Sequence, residues 1–575
     1  MDVDTSLLGW SVLKMTSFRS NKNPMFRSKF SEDIFYQKYS HEGCETWAEL
    51  ATVLVEDVCQ NRMTTDEKET LTQAIENLKF IPGGRYIYYA GRDKKFFNNC
   101  FLLKAEEDTR EDWANLSWKS ESALMSGGGI GVDYSVYRPS GSVLSSTGGE
   151  ASGPLPKMKM VNAIGKHVMQ GGSRRSAIYA SLNWQHADIH DFLVAKNWYD
   201  MPVDGTDKMI GDLKEANFNY DAPLDFTNIS VNYDTKWLTD YWETGDVGEV
   251  FKTNVRQALS TAEPGFSFNF FDKENETLRN ACTEVTSEDD SDVCNLGSLN
   301  LGRIDSLQEL KDITELATKF LLCGTLRADL PYKKIYEVRE KNRRLGLGLM
   351  GLHEWLLKKN YKYEVTDELH QWLSIYRGVS DDVAKRFSDD LGISNPVAVR
   401  AVAPTGSIGI LAGTSTGIEP VFAVAYKRRY LSGGKRWKYQ YVVDSTSQEL
   451  IEVYGAKPDK IETALDLVSD YERRIKFQAD IQDYVDMSIS STINLPEWGS
   501  QENNEDTVEP FAKVLAENAH RLRGFTCYPN GARGGQPLTP VAYKEAVEKL
   551  GEEFEESLES TDICDLTSHG GSCGV

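Results

Sequence analysis

Short apolar runs alternate along this chain with segments that have helical spacing of apolar residues, and this alternation is its strongest constraint on fold. Residues 44–55 and 66–78 place apolar side chains at helical intervals, within a charged region from about 30 to 80 that reads as helical. After a break at 82–85, Cys100 opens the apolar run 100–103, which is typical of a buried strand. The pattern is compatible with an α/β fold, although it does not define the topology.

The charge of the chain narrows the classes of partner. Its 64 Lys and Arg residues against 87 Asp and Glu residues give a formal net charge of −23. Such a charge disfavours non-specific binding to nucleic acid or anionic membrane, so a bound polyanion is expected to be small and held in a local pocket. No apolar run has the length of a membrane span, and the first residues lack the features of a signal peptide. The sequence therefore predicts a cytoplasmic protein.

The cysteines are scattered rather than paired. Nine of them occupy positions 44, 59, 100, 282, 294, 323, 527, 564 and 573. They lack the tight pairs of a metal knuckle, so no metal site is expected. In a reducing compartment, any disulfide among them is expected to be catalytic and transient.

The densest group of reactive side chains lies between Asn280 and Cys294. Cys282 and Glu284 place a thiol beside a carboxylate in Asn280-Ala-Cys-Thr-Glu284, and Cys294 follows within the same fifteen residues. A thiol beside a carboxylate can support nucleophilic, redox or radical chemistry, and an amide can orient a bound hydroxyl. The alternative for any single cysteine is a small buried hydrophobic residue.

Two glycine-rich segments are candidates for ligand contact. Ser126-Gly-Gly-Gly-Ile-Gly131 suits either a phosphate cradle or a tight helix-to-strand turn. Arg174 and Arg175 follow a Gly-Gly turn and could bind a phosphate or stack on a base, or else form a solvated helix end. The segment 346–351 matches G-x-G-x-x-G but follows a charged helical pattern, which makes it a poor dinucleotide site.

The segment from Ala403 to Gly417 is a better phosphate candidate. Hydroxyls and glycines alternate there around an apolar stretch that we interpret as a short strand. Hydroxyls and backbone amides that open a helix can hold phosphate without lysine. A Ser/Thr-rich turn is the alternative.

The C-terminal region reads as a helix and a polar tail. Residues 541–558 have the pattern of an acidic amphipathic helix, and the tail from Asp562 contains Cys564 and Cys573. Paired thiols on a tail suggest a shuttle of reducing equivalents, and incidental cysteines on a disordered end are the alternative.

Taken together and in order, the motifs resemble the catalytic chain of ribonucleotide reductases, and most closely the adenosylcobalamin-dependent class II enzymes. The resemblance runs over roughly residues 80 to 535. The motifs that carry it are Asn99-Cys100, Ser126 to Gly131, Arg174-Arg175, Asn228-Ile-Ser-Val231, Glu263-Pro-Gly-Phe266, Asn280 to Glu284, Cys294 to Leu301, Arg343 to Gly351, Pro404-Thr-Gly-Ser407 and Tyr528 to Arg533.

The resemblance implies a fold and a domain organisation. The family has a ten-stranded α/β barrel of two five-stranded parallel halves, with a central finger loop that presents the radical cysteine. We therefore expect a helical N-terminal region at 1–80, the barrel at 81–540, and a C-terminal helix and redox-active tail at 541–575.

The resemblance also implies catalytic roles. Cys282 would be the thiyl radical that removes the ribose 3′-hydrogen, Glu284 would take the proton from the 3′-hydroxyl, and Asn280 would hold that hydroxyl. Cys100 and Cys294 would supply two electrons and become a disulfide.

Further roles follow from the same resemblance. The tail thiols Cys564 and Cys573 would reduce that disulfide and would themselves be reduced by a thioredoxin- or glutaredoxin-type protein. Substrate phosphates are expected at Thr405, Gly406 and Ser407. The loops that face the ribonucleotide and an allosteric nucleotide (a dNTP or ATP) are expected at Gly128, Gly129, Arg174 and Arg175.

The resemblance leaves two sources of the radical to be distinguished. Relatives with a separate metal-containing subunit use two adjacent tyrosines on the last barrel strand, whereas this chain has Cys527-Tyr528, which favours adenosylcobalamin. A catalytic chain with a ferritin-like radical-generating subunit is the alternative, and both a monomer and a homodimer are open.

The chain differs from the family in having Ala281 before the radical cysteine, where proline is usual, and in the wide spacing of its tail cysteines. It also lacks a recognisable ATP-binding cone, so control of substrate choice is expected without overall dATP inhibition.

Overall fold

The structure is a computed structural model, and it describes residues 26–145, 148–168, 176–216, 220–293, 295–432, 436–532, 538–550 and 553–557. The α-helices of these ranges are α1 (Lys29–Lys38), α2 (Trp47–Cys59), α3 (Thr65–Glu76), α4 (Gly84–Tyr89), α5 (Arg110–Met125), α6 (Pro154–His167), α7 (Ile189–Leu193), α8 (Ile210–Ala216), α9 (Thr235–Thr244), α10 (Glu249–Thr261), α11 (Leu307–Arg327), α12 (Lys333–Asn342), α13 (Leu352–Lys358), α14 (Asp367–Leu391), α15 (Gly406–Ala412), α16 (Ser445–Glu452), α17 (Tyr471–Gln482), α18 (Glu505–Ala519) and α19 (Tyr543–Glu548).

The strands are β1 (Phe80–Pro82), β2 (Cys100–Lys104), β3 (Gly129–Asp133), β4 (Ile178–Asn183), β5 (Thr227–Tyr233), β6 (Gly265–Phe268), β7 (Leu278–Arg279), β8 (Thr286–Ser287), β9 (Asp292–Val293), β10 (Asn295–Asn300), β11 (Leu345–Met350), β12 (Ala425–Ser432), β13 (Arg436–Val443), β14 (Thr492–Leu495), β15 (Gly524–Pro529), β16 (Leu538–Pro540) and β17 (Glu553–Ser557). Short 3₁₀ helices occur at Trp198–Asp200, Phe271–Lys273, Leu301–Arg303 and Pro458–Lys460.

The first half of the molecule is built on parallel strands. β2, β3, β4, β5 and β6 pair in that order, each parallel to its neighbour. The helices α5–α10 lie in the connections between them, and the strands are almost entirely buried. Strands that are covered on both faces read as continuous apolar runs, which explains the sequence pattern at 100–103.

A second parallel group follows in the chain. β10 pairs in parallel with β11, and parallel bridges then join Leu347 to Arg400 and Val402 to Ile489. β14 and β15 form a further parallel pair. The G-x-G-x-x-G match at 346–351 lies largely in β11, a strand buried between β10 and the 400–402 segment, rather than in a loop that opens a helix.

The two groups meet through antiparallel contacts. β6 pairs antiparallel with β15 at one side, and β2 pairs antiparallel with β9 at the other, directly before β10. These pairings bring the ends of the two parallel groups together, and the finger segment 278–287 lies between them in sequence.

The N-terminal part is helical, as the sequence predicts. α2 and α3 each begin with a complete capping box, made by Thr46 with Glu49 and by Thr64 with Glu67, so both helices start where the sequence has its signal. Their apolar faces join one large core with α11, α14 and β11. A second large core lies between β2–β6, β15 and their covering helices.

The prediction of one helix over 541–558 is wrong. α19 ends at Glu548, and residues 553–557 form β17, which pairs antiparallel with β13. The order of the small antiparallel sheet is β16-β12-β13-β17. The edge of β13 offers backbone hydrogen bonds that local helical spacing cannot reveal. None of the helices in the described ranges is long and apolar enough to cross a membrane.

Candidate active site

The segment that the sequence singled out forms the tip of a hairpin. β7 and β8 pair antiparallel, with Leu278 opposite Ser287, and we call residues 278–287 the finger hairpin. Within its loop, the Thr283 amide donates to the Asn280 carbonyl at 3.0 Å, and Thr283 has a φ of +70°. The Val285 amide donates to Oδ1 of Asn280 at 2.9 Å. The loop therefore has a defined shape that orients the side chain of Asn280.

Two glycines of β3 make room for the finger hairpin. A Cβ atom added at Gly131 would lie 1.7 Å from the Arg279 carbonyl oxygen, and one added at Gly129 would lie 2.9 Å from Cβ of Ala281. The same added atom at Gly129 would lie 3.2 Å from Sγ of Cys100. A Cβ at either position would collide with the hairpin or crowd it, because such contacts are shorter than van der Waals distances. The helix-to-strand turn at 126–131 is confirmed. Its strand glycines, Gly129 and Gly131, lie against the finger hairpin.

An apolar cluster holds the finger hairpin between the two parallel groups. Leu278 and Val285 of the hairpin pack with Leu102 of β2 and Leu296 of β10. The cluster is completed by Ala398, Ala401, Ala403 and Met487. In addition, the Ser488 amide donates to the Glu284 carbonyl at 2.8 Å. The loop is thus fixed from both sides, which is the requirement for a preorganised site.

Glu284 is fully buried, and its environment favours the neutral acid. Burial raises the pKa of the Glu284 carboxyl to about 8, and the neighbouring Cys100 thiol adds to the shift, while Asn280 opposes it. By distance and angle, neither Oε2 of Glu284 nor Nδ2 of Asn280 makes a full hydrogen bond within the described part of the chain, although the Asn280 side chain lies close enough to act on the Glu284 carboxyl. Buried polar atoms without partners are costly, and such atoms at a functional site are typical of groups that bind a ligand.

The thiol of the same loop is more accessible. Asn280, Ala281 and Glu284 are buried, whereas Cys282 and Thr283 are only half-buried. Cys100 is buried at the first residue of β2, opposite Gly129 of β3. The structure therefore brings Asn280, Glu284 and Cys100 together around a loop in which Cys282 and Thr283 are the more accessible residues.

The base of the finger hairpin is held by charged groups that the sequence reasoning missed. Arg279 is fully buried and donates to Oδ1 of Asn269 at 2.7 Å and to the Arg523 carbonyl at 2.9 Å. Burial, followed by the nearby Arg523 cation, lowers the pKa of Arg279 to about 9. In the sequence, the only sign of this interaction is a charged residue directly before Asn280. Its partner Arg523 lies far away in the chain.

Two carboxylates, Glu276 and Asp292, accept hydrogen bonds from cations and hydroxyls at the base of the finger hairpin. Oε2 of Glu276 accepts from Arg523 at 3.0 Å and from the Thr286 hydroxyl at 2.7 Å. Burial alone would raise the pKa of Glu276, but Arg523 and Arg344 outweigh it and lower the value to about 2. Oδ2 of Asp292 accepts from the Ser287 hydroxyl and from Arg344, each at 2.7 Å. These groups anchor the hairpin where it leaves the sheets.

The candidate phosphate segment forms a helix rather than the predicted strand. Thr405, Gly406 and Ser407 open α15, and Thr405 has a φ of +53°. Oγ1 of Thr405 accepts from the Gly417 amide at 2.8 Å, which closes the segment 405–417 into a compact turn. Alternating glycines and hydroxyls suit the start of a short helix. The segment therefore forms a helix, although its apolar stretch has the pattern of a strand.

Cys527 and Tyr528 lie on opposite faces of β15. Cys527 is buried in the core beneath the helices, and burial raises the pKa of its thiol to about 12. Tyr528 is half-buried on the other face. The two adjacent side chains therefore occupy different environments.

Several predicted site residues lie outside the described residues. These are Cys294, Arg174, Arg175, Cys564 and Cys573. Gly128 is described and lies in the turn before β3, where an added Cβ would be 2.4 Å from the Phe101 ring. The roles assigned to all of these residues remain predictions.

A family model for the barrel domain of ribonucleotide reductase matches residues 98–202, 227–373 and 381–528, which is more than half of the chain. The chain belongs to the ribonucleotide reductase family. Relatives of this family include a vitamin B12-dependent ribonucleoside-diphosphate reductase of Mycobacterium tuberculosis, which is 26% identical, with 84% of this chain and 75% of that protein covered. One of Thermoplasma acidophilum with the same description is 25% identical, with 81% and 66% covered.

The reductase fold is also seen in a solved structure. The alpha subunit of the class Id ribonucleotide reductase of Actinobacillus ureae superposes with a TM-score of 0.67 at 18% identity, and the match covers 87% of this chain and 96% of that chain. The family assignment expected from the motif order is confirmed. The finger hairpin lies inside the matched range, so the reactive cluster belongs to the reductase domain itself.

Proposed function

We propose that this chain reduces ribonucleotides to 2′-deoxyribonucleotides for DNA synthesis, by thiyl-radical chemistry that begins at Cys282 and depends on adenosylcobalamin. The observation that carries the proposal is the buried pair formed by Asn280 and Glu284 beside Cys100. Nδ2 of Asn280 and Oε2 of Glu284 find no hydrogen-bond partner among the described residues. The vitamin B12 dependence named for the two bacterial and archaeal relatives supports the cofactor.

The substrate ribose supplies the missing partners. Its 3′-hydroxyl would donate to Oε2 of Glu284 and accept from Nδ2 of Asn280, which satisfies both buried atoms at once. The Cys282 sulfur radical would remove the 3′-hydrogen while Glu284, in its ionised form, takes the proton of the 3′-hydroxyl, and Glu284 returns this proton when the 3′-hydroxyl is restored. The 2′-hydroxyl would take a proton from the thiol pair Cys100 and Cys294 and leave as water.

The electrons for the reduction come from two thiols. Cys100 and Cys294 each lose a hydrogen equivalent and join in a disulfide, so that one C–O bond is replaced by a C–H bond and one water is formed. Cys282 then returns the hydrogen to the 3′-carbon and regains its radical. Cys564 and Cys573 reduce the disulfide by exchange, and a thioredoxin- or glutaredoxin-type protein reduces them in turn.

We place the cofactor on the more accessible side of the loop. Cys282 is half-buried, whereas Ala281 and Glu284 are buried, and this supports an approach to the cysteine rather than to its buried neighbours. When bound, adenosylcobalamin supplies the oxidising equivalent that removes the hydrogen atom from the Cys282 thiol. Because residue 527 is a cysteine, positions 527 and 528 of β15 do not supply the two adjacent tyrosines of a relay from another subunit.

Further parts of the proposal concern architecture and ligands. The parallel strands β2–β6 are proposed to form one five-stranded half of a ten-stranded barrel around the finger hairpin. The second parallel set, which comprises β10, β11, the 400–402 segment, β14 and β15, is proposed to form the other half. Substrate phosphates are placed at Thr405, Gly406 and Ser407, at the start of α15. An effector nucleotide, bound near the loops at 128–129 and 174–175, selects which base is reduced. The boundaries at 80 and 540 are proposed for the helical region, the barrel and the tail.

Turnover by the purified chain tests this function. The chain is incubated with a ribonucleotide, dithiothreitol, an effector nucleotide and adenosylcobalamin, and a parallel reaction omits the cobalamin. Product only in the presence of cobalamin is expected, and Cys282→Ala is expected to abolish it. Product without cobalamin, or full activity of Cys282→Ala, contradicts the mechanism. Silence in both reactions points to the alternative, a separate radical-generating subunit.

A further inference from the structure

The C-terminal end of α15 is held by residues from distant parts of the chain. The Arg27 guanidinium donates to the Gly413 carbonyl at 2.9 Å, and the Ser31 hydroxyl donates to the Ile410 carbonyl at 2.6 Å. Arg303 donates to the Ala412 carbonyl at 3.2 Å. The last carbonyls of a helix lack partners within the helix, and Arg27 and Arg303 supply donors to two of them. Ser31 adds a second donor to the Ile410 carbonyl, which also accepts from the Gly413 amide at 3.1 Å.

Buried charges fix the position of Arg27. Its guanidinium lies 2.7 Å from Oε1 of Glu354 and 2.6 Å from Oε2 of Glu449. Glu354 is fully buried, and it also accepts from Lys358 at 2.8 Å and from the Thr414 hydroxyl. Burial alone would raise the pKa of Glu354, but Arg27 and Lys358 lower it to about 2. Arg27 is therefore held in a charged network that leaves one of its donors for α15.

α15 depends on such support because it is short. It contains only seven residues, and a helix of two turns is not stable by itself. Cations at the carbonyl end of a helix interact favourably with its dipole, and Arg27 and Arg303 both lie there. Ser31 is completely buried on α1, so the contact between α1 and α15 is part of the core.

We infer that Arg27 and Ser31 are positioning residues for substrate binding: through the C-terminal carbonyls of α15 they set where Thr405, Gly406 and Ser407 meet the nucleotide phosphates. This inference rests on the proposed function, which places the phosphates at the start of that helix. The helical N-terminal region therefore contributes to substrate affinity. Neither residue touches the reacting atoms, so radical chemistry on bound substrate proceeds at its normal rate.

The test compares three variants of the full chain. Arg27→Gln and Ser31→Ala each remove a donor to α15. Arg327→Gln is the matched control, because Arg327 also donates to a carbonyl and a carboxylate, both of Asp57, at 3.1 and 3.0 Å, but does not touch α15. For each protein, kcat and KM for the ribonucleotide are measured with adenosylcobalamin and dithiothreitol, together with amide hydrogen exchange in the peptide 406–413.

We expect KM to rise roughly fivefold to tenfold in Arg27→Gln and somewhat less in Ser31→Ala, as the loss of one hydrogen bond to a carbonyl implies, with kcat within about twofold of the wild type. Exchange at 406–413 becomes faster in both variants, while Arg327→Gln changes neither KM nor that exchange. Unchanged KM and exchange in Arg27→Gln, or an equal rise of KM in Arg327→Gln, overturns the inference. An inactive wild type overturns the proposed function instead, and the exchange data then test the α15 contacts separately.

Discussion

Glu276 at the base of the finger hairpin and Glu284 at its tip are both withdrawn from solvent, yet their pKa values are shifted in opposite directions. Glu276 is surrounded by Arg523, Arg344 and a hydroxyl, and its pKa falls to about 2. No cation among the described residues acts on Glu284, and burial together with the Cys100 thiol raises its pKa to about 8. The cost of burying a carboxylate is offset only where a positive charge is close. Two carboxylates eight residues apart are thereby divided into one that anchors and one that can exchange a proton.

The largest expected effect comes from a substitution at the tip of the finger hairpin. Glu284→Gln keeps the shape of the side chain but removes the proton acceptor, so we expect kcat to fall by about 10²- to 10⁴-fold. The thermal midpoint should stay the same or rise, because the carboxyl has no ionic partner to lose. Turnover and thermal unfolding of the same preparation check this. A variant that keeps most of its activity contradicts the role of Glu284.

Gly131→Ala tests how closely the finger hairpin must approach β3. The added methyl group would lie 1.7 Å from the Arg279 carbonyl oxygen, so the hairpin must shift. We expect a loss of about 3 kcal/mol in the free energy of unfolding, with a further loss of activity. Denaturant unfolding provides the measurement. Gly378→Ala is the control, since an added Cβ in that part of α14 meets no atom within 4 Å and should stabilise the helix by about 0.5–1 kcal/mol.

Glu276→Gln tests the carboxylate at the base of the finger hairpin. It removes the partner of the buried Arg523 and leaves that cation without its carboxylate, so we expect a loss of about 2–3 kcal/mol in the free energy of unfolding. Activity should fall much less than in Glu284→Gln when both are measured well below the unfolding temperature. A stable but inactive variant would show that the base of the hairpin takes part in catalysis.

For a change of one pH unit, the pH dependence of stability gives the smallest effect. The pKa of Glu284 is higher in the folded state than in the unfolded state, so its contribution is complete below the usual glutamate value and is lost as the pH rises towards about 8. For Glu276 the shift is downward, so its contribution is present above the usual value and is lost as the pH falls towards about 2. One proton changes the free energy of unfolding by at most about 1.4 kcal/mol per pH unit. Glu284→Gln should remove the downward slope above pH 5, and an unchanged slope would contradict the shift.

Local reasoning predicted much of the molecule. The helices before residue 80, the strand at Cys100 and the turn at 126–131 follow from capping boxes, apolar runs and glycines, which act over a few residues. The family assignment followed from the order of the motifs. Reasoning from local pattern failed at 553–557 and at 403–417, where a sheet edge and a tight helix entry decided the conformation.

The sequence by itself determined which groups are available: a thiol, an amide and a carboxylate within Asn280 to Glu284, and a strand that opens with Cys100. Only the tertiary structure decided what each group does. Glu276 and Glu284 look alike in the sequence, but Arg523 and Arg344 reach the first and not the second. Arg27 likewise meets α15 only after almost four hundred intervening residues have folded. Electrostatic and hydrogen-bond energies depend on distance in space, and that distance is set by the fold as a whole.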